Sequence, residues 1–144
     1  MNWLSEIKKH HEAIKRAFII AINDPSESNV KELKFLINAH SIAEEAVIYP
    51  QLSKHGINDE QLEKEQTGAK EEIHYLSHHV DEPDIKGKLK KLMKAVLEHA
   101  VVHEEHKAFP KLMSKLSTPE NMKLGDEYMT HYDKWCDTGH NTQE

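Results

Sequence analysis

Apolar residues recur along this chain every three to four positions, the period of helices that bury one face. Leu4, Ile7, Ile14 and Phe18, with His11 in the same series, predict a first helix from about Trp3 to Ile22, ended by the stretch NDPSESN. A second carries Leu33, Leu36, Val47 and Ile48 together with His40 and Glu44, and stops between Pro50 and Gly56. A third begins after the capping residues Asn58 and Asp59, shows the stripe Leu62, Gln66, Ala69, Ile73, Leu76 and Val80, and is closed by DEPD. The fourth and longest, from about Asp84 to Leu116, turns Leu89, Leu92, Met93, Val96, Ala100 and His103 inward. A fifth segment opens at Thr118-Pro119-Glu120, a cap followed by proline at the first helical position. Its Met122, Tyr128, Met129, Tyr132 and Trp135 suit packing across the other helices or against a second copy in a homodimer. No window alternates β-branched residues between turn signals, so strands are not expected. The prediction is an all-α, up-down-up-down four-helix bundle with a short additional C-terminal helix over residues 1–136, and a polar tail over 137–144.

Composition agrees with that class and narrows the function. Glycine and proline number five each, and 31% of residues are charged. The formal charge of −6 argues against a nucleic-acid partner. The basic run KGKLKKLMK reads as a solvated helix face, with a docking patch for an acidic partner as the alternative. The charged beginning MNWLSEIKKHHE, with no long apolar segment, predicts neither a signal peptide nor a membrane span, hence a cytoplasmic protein. Cys136 is the only cysteine, which excludes an internal disulfide and any thiolate cluster within one chain.

The candidate chemistry lies where the stripes carry histidine and glutamate in place of leucine. Such groups cost several kcal/mol when buried unpaired, and a carboxylate more if it stays ionised, so a core that contains several points to something bound between them. His40 and Glu44 are four residues apart, about 40° around a helix and one turn apart in height. His11 and His40 lie at equal heights, roughly 17 Å from the first loop, and should meet. On the same count Gln66 is the third-helix residue level with His99. His74 and His78 fall short of that level, opposite the stripe, and are expected to face solvent. On the fourth helix His99 and Glu104 diverge by about 140° and straddle the stripe; His103 is a further ligand or a partner of one. Glu45, Glu105 and His106 read as surface charge. Tyr49-Pro50 and Phe109-Pro110 are expected to end or kink helices and not to touch a ligand, and Trp3 and Trp135 to be packing residues. The candidate metal set is therefore His11, His40, Glu44, Gln66, His99, His103 and Glu104. Imidazole and carboxylate without sulfur suit iron, with zinc or manganese as alternatives.

Two segments, HSIAEEAVIYP and HAVVHEEHKAFP, repeat the same arrangement of histidine, paired glutamates and an aromatic-proline pair. With HEAI at His11–Ile14 and LSTPENMKLGDEY near the end, they resemble the hemerythrin-like, or HHE cation-binding, domain over most of the chain. The resemblance implies two non-haem irons and a small diatomic ligand such as oxygen or nitric oxide, or buffering of iron. The chain departs from the family pattern twice. Glu65-Gln66 stands where a Glu-His pair is usual, and His99 lies one residue before the common histidine position, which falls on Ala100. Two other readings use the same residues. One is a metal-poor bundle acting as a structural or protein-interaction module; the other is a di-iron oxidase, peroxidase or repair factor.

Overall fold

The computed structural model describes residues 2–138, and among them all regular structure is helical. Helix α1 spans Trp3–Asn23, and Asn2 caps it by accepting from the amides of Leu4 and Ser5. Helix α2 starts at Glu27 under the Ser26 cap and forms one continuous rod of three parts: α-helical Glu27–Ala43, π-helical Glu44–Ile48 and α-helical Tyr49–Lys54. The chain then turns through Gly56, whose φ of 73° is the left-handed conformation that glycine adopts without strain. Helix α3 is Glu60–Ser77, and Asn58, not Asp59, supplies the side-chain cap to the amide of Glu60. It stops three residues short of Val80 because the amides of His78 and His79 turn back to the carbonyls of Tyr75 and Leu76, tightening the last turn.

Helix α4 is again tripartite: Ile85–Leu97, a π-helical stretch Glu98–Ala108, and Phe109–Lys115. Helix α5, Thr118–Thr138, is capped by Ser117 and not Thr118. The Ser117 hydroxyl accepts from the Glu120 amide while the Glu120 carboxylate accepts from the Ser117 amide, a reciprocal capping box. The helix takes in 137 and 138, the first residues of the expected polar tail; the rest of that tail lies outside the described residues.

The prolines do not end their rods. A proline inside a helix lacks the amide for its i−4 carbonyl, and its ring collides with that turn. Here each proline follows a π-helical stretch, where the amides of Tyr49 and Phe109 reach back five residues to the carbonyls of Glu44 and Glu104. That wider turn accommodates the ring, and the helix resumes so that Leu52 and Leu112 are fully buried.

Helix α1 packs on α2 and α4, and α3 packs on the same two, while α5 lies against α1 and α2. Two apolar clusters fill the interior. One gathers Trp3, Ile7, Ile48, Tyr49, Phe109, Leu112 and Tyr128; the other gathers Ile14, Phe18, Leu33, Ile37, Ile73 and Leu89. The first also ties down α5, since Trp3 Nε1 donates to Asn121 Oδ1 at 2.9 Å and its ring meets Phe109 edge-on. The predicted stripes therefore face inward, with Ile37 more buried than Leu36 on α2 and Met122 exposed on α5. Lysines 86, 90, 91 and 94 of the basic run face solvent. No helix among the described residues is long and apolar enough to cross a membrane.

Candidate metal centre

Along each of the first four rods the apolar series is interrupted at one level. His11 sits between Ile7 and Ile14, His40 and Glu44 between Ile37 and Val47, Gln66 between Leu62 and Ile73, and His99 and Glu104 between Val96 and Ala108. These are buried polar residues, and they form a belt between the two apolar clusters.

His11, His40, Glu44 and Glu104 bring one donor atom each to within 4.8 Å of one another. Donors on opposite sides of an ion with bonds of about 2.0–2.2 Å are themselves about 4 Å apart, so this spacing is close to that of a coordination sphere. His11 Nε2 lies 3.5 Å from Glu44 Oε2 and 3.3 Å from Glu104 Oε1, and His40 Nε2 lies 3.4 Å from Glu44 Oε1. The two imidazole rings meet edge to face with centroids 5.0 Å apart.

The opposite ring nitrogens are tied down. His11 Nδ1 donates to Glu105 Oε2 at 2.6 Å, His40 Nδ1 to the Ile37 carbonyl at 3.2 Å, and His99 Nδ1 to Glu65 Oε1 at 2.8 Å. Each ring is thereby fixed with Nε2 turned inward, as an outer carboxylate or carbonyl fixes a ligating histidine. The inward atoms are the ones left over. His11 Nε2, His40 Nε2, both Glu44 oxygens and Glu104 Oε1 are buried without a hydrogen-bond partner. Orphaned polar atoms each cost about 1–3 kcal/mol, and more when charged, so five around one point fit a cation bound among them. This buried cluster can hold a metal.

His99 stands at the edge of the group. Its Nε2 lies 3.1 Å from Glu104 Oε2, 3.2 Å from Gln66 Oε1 and 3.2 Å from the Tyr49 hydroxyl, which donates to Glu104 Oε2 at 2.5 Å. The 140° divergence expected of His99 and Glu104 does not occur, because the π-helical stretch Glu98–Ala108 joins residues five apart and puts both on one face. Gln66 turns its oxygen to His99 and its amide to Glu45 Oε2 and the Ser41 carbonyl, so its polar atoms are engaged with these neighbours. His103 also stands outside it, partly exposed, with Nδ1 on Glu65 at 2.9 Å. His74 and His78 are exposed.

The charges are mutually dependent. Burial alone would push His99 down, but the charge and hydrogen bond of Glu104 and the bond to Glu65 outweigh it and raise the group to about 9. His11 is likewise opposed by burial yet held well above the ordinary histidine value by Glu104, Glu105 and Glu44. Burial would raise Glu104, and the imidazoles of His99 and His11 hold it well below the usual carboxylate range. Burial, then the Glu104 and Glu44 charges, raise the Tyr49 phenol, which therefore stays a donor.

Three of these partners depart from the sequence reading. Glu105 is not surface charge, since the π-helical run turns it under His11; Tyr49 touches the cluster; and Glu65 anchors both His99 and His103. Glu45 lies at the rim, paired with Lys70. The aromatic-proline pairs were the available signal, because a proline followed by a continuing apolar stripe marks a local irregularity in the helix, though not its kind. A cavity of about 380 Å³ opens beside the belt and shares His40, Gln66 and His99 with it. Compared with family models, curated proteins and solved structures, the chain matches none.

Proposed function

We propose that this chain is a metal-binding bundle of the hemerythrin-like kind. In this reading its four long rods alternate in direction and hold non-haem iron in the histidine and glutamate belt. The supporting observation is the set of inward-facing donor atoms without partners on side chains whose far ends are anchored. His11, His40, Glu44 and Glu104 would hold the ion. Two imidazoles with carboxylates are a donor set that suits non-haem iron and leaves coordination positions open. Bound there, iron supplies a Lewis-acidic, redox-active centre able to take a small ligand such as oxygen or nitric oxide.

The protein's own part is positioning and exclusion. Glu105 and the Ile37 carbonyl orient the two imidazoles, Tyr49 fixes one oxygen of Glu104, and the apolar clusters on both sides keep bulk water away. We read the capacity as one tightly held ion. On the His99 side an amide, Gln66, faces the ring where a second imidazole would be needed to complete another site. The chain then binds or senses a diatomic ligand, or buffers iron. Anaerobic loading with ferrous iron followed by oxygen or nitric oxide tests this. A visible absorption change that requires both iron and gas is expected; an iron-loaded protein with an unresponsive spectrum contradicts gas binding.

One observation favours a metal-free alternative: His11 Nε2 and His99 Nε2 lie 3.3 Å and 3.1 Å from the Glu104 carboxylate, close enough for imidazolium and carboxylate to offset one another without an ion. In that case the belt is a structural polar layer, and chelators leave the thermal midpoint unchanged.

A further inference from the structure

Between the buried belt and solvent stands a ladder of alternating carboxylate and imidazole groups. Glu98 Oε1 lies 3.9 Å from His103 Nε2. The other nitrogen of that ring, Nδ1, lies 2.9 Å from Glu65 Oε1, and the same oxygen lies 2.8 Å from His99 Nδ1. His99 Nε2 then reaches Glu104 Oε2 at 3.1 Å, and Glu104 Oε1 faces His11. Side-chain exposure falls along the ladder, from 59% at Glu98 through 23% at His103 and 27% at Glu65 to 8% at His99 and 0% at Glu104. Four of its five residues come from the π-helical stretch Glu98–Ala108, and Glu65 faces them from α3.

The outer end is built for a cation. His103 commits Nδ1 to Glu65, which leaves the lone pair of Nε2 facing the Glu98 carboxylate, an acceptor opposite an acceptor. Their separation of 3.9 Å suits one ion with bonds of about 2.0–2.2 Å to each. The cavity beside the belt opens at this rim and is lined by Glu98, Glu65 and His99. Lys64, on the same rim, has Glu60 for a partner, so the two carboxylates set the local sign and draw cations in.

We propose that Glu98 and His103 form the entry site for the metal of the belt: a hydrated divalent cation is caught between Glu98 Oε1 and His103 Nε2, then passed by Glu65 and the His99 ring to Glu104. This rests on the metal reading above. His99 can hand the ion on because one of its nitrogens touches Glu65 and the other Glu104. Glu98, His103 and Glu65 lie outside the four-donor group, so they set how fast an ion enters and leaves and not how tightly it is held.

Uptake kinetics of the full chain test it. Metal-free protein is mixed anaerobically with ferrous iron, and the iron still free is read with a chromogenic chelator at successive times. Glu98→Gln and His103→Ala should each slow uptake by at least about threefold, and together by at least about tenfold, the lower end of what a cleft of one charge sign adds to an association rate. Release to excess chelator should slow by the same factor, leaving the iron content at saturation and the dissociation constant unchanged. Glu127→Gln, which removes a carboxylate from the α5 surface, should change neither rate. Glu98 is largely exposed, so Glu98→Gln decides alone should His103→Ala disturb the helix. Wild-type uptake rates in Glu98→Gln, equal slowing by Glu127→Gln, or a loss of affinity in place of a loss of rate overturns the entry site and leaves the metal reading standing. Wild-type protein that takes up no iron overturns both.

Discussion

His40 Nε2 and both Glu44 oxygens are buried without a hydrogen bond, facing one another and His11 at 3.4–3.5 Å, and Glu44 is completely buried. Removing either side chain should therefore abolish most metal binding, whereas His74→Ala, on an exposed ring, should leave it intact. Elemental analysis of the three variants checks this, and equal metal content in all of them would count against the assignment. Glu105 acts one step back, through His11 Nδ1. Glu105→Ala should lower metal affinity by about 10–100-fold without removing a donor, measured by competition with a chromogenic chelator; unchanged affinity would mean that His11 needs no support. His11, His40 and Glu44 were legible in the sequence because a polar residue on an apolar stripe conflicts with burial. Glu105, Glu65 and Tyr49 were not. Glu105 falls off the stripe at 100° per residue, and Tyr49 looks like one more apolar core residue.

The helices themselves were legible, since caps, loops and apolar period agree at most boundaries. The π-helical stretches were not, because apolar spacing does not distinguish a widened turn from a regular one over so few residues. Their consequence is local and testable. In an unbroken α-helix Glu104 would swing about 140° from His99, and the π-helical run before Pro110 keeps them within 3.1 Å. Pro110→Ala restores an amide and removes the steric reason for the wide turn. Helix content should be kept, as seen by circular dichroism, while metal affinity falls. A variant that binds metal normally would show that the proline does not set this geometry.

At the scale of the molecule the belt ties stability to pH. In the metal-free protein His99 is raised from an ordinary value near 6.5 to about 9. Its contribution is therefore complete below about pH 6.5 and lost as pH rises through about 9. Glu104 is lowered, so its contribution is present above the ordinary carboxylate range and lost as pH falls below it. Denaturant unfolding of chelator-treated protein should show lower stability at pH 9 than at pH 6; a flat profile would contradict the charge network. Metal occupancy should change that picture, because an ion bound only by the folded chain stabilises it by mass action.

The most direct measurement of the central claim is the metal content of gently purified protein, read beside its melting temperature before and after chelation. The account predicts one iron per chain, held by the four-donor group, and a fall in the melting temperature when it is removed. Protein that carries no metal, takes up none when incubated with ferrous iron and melts at one temperature throughout would contradict it.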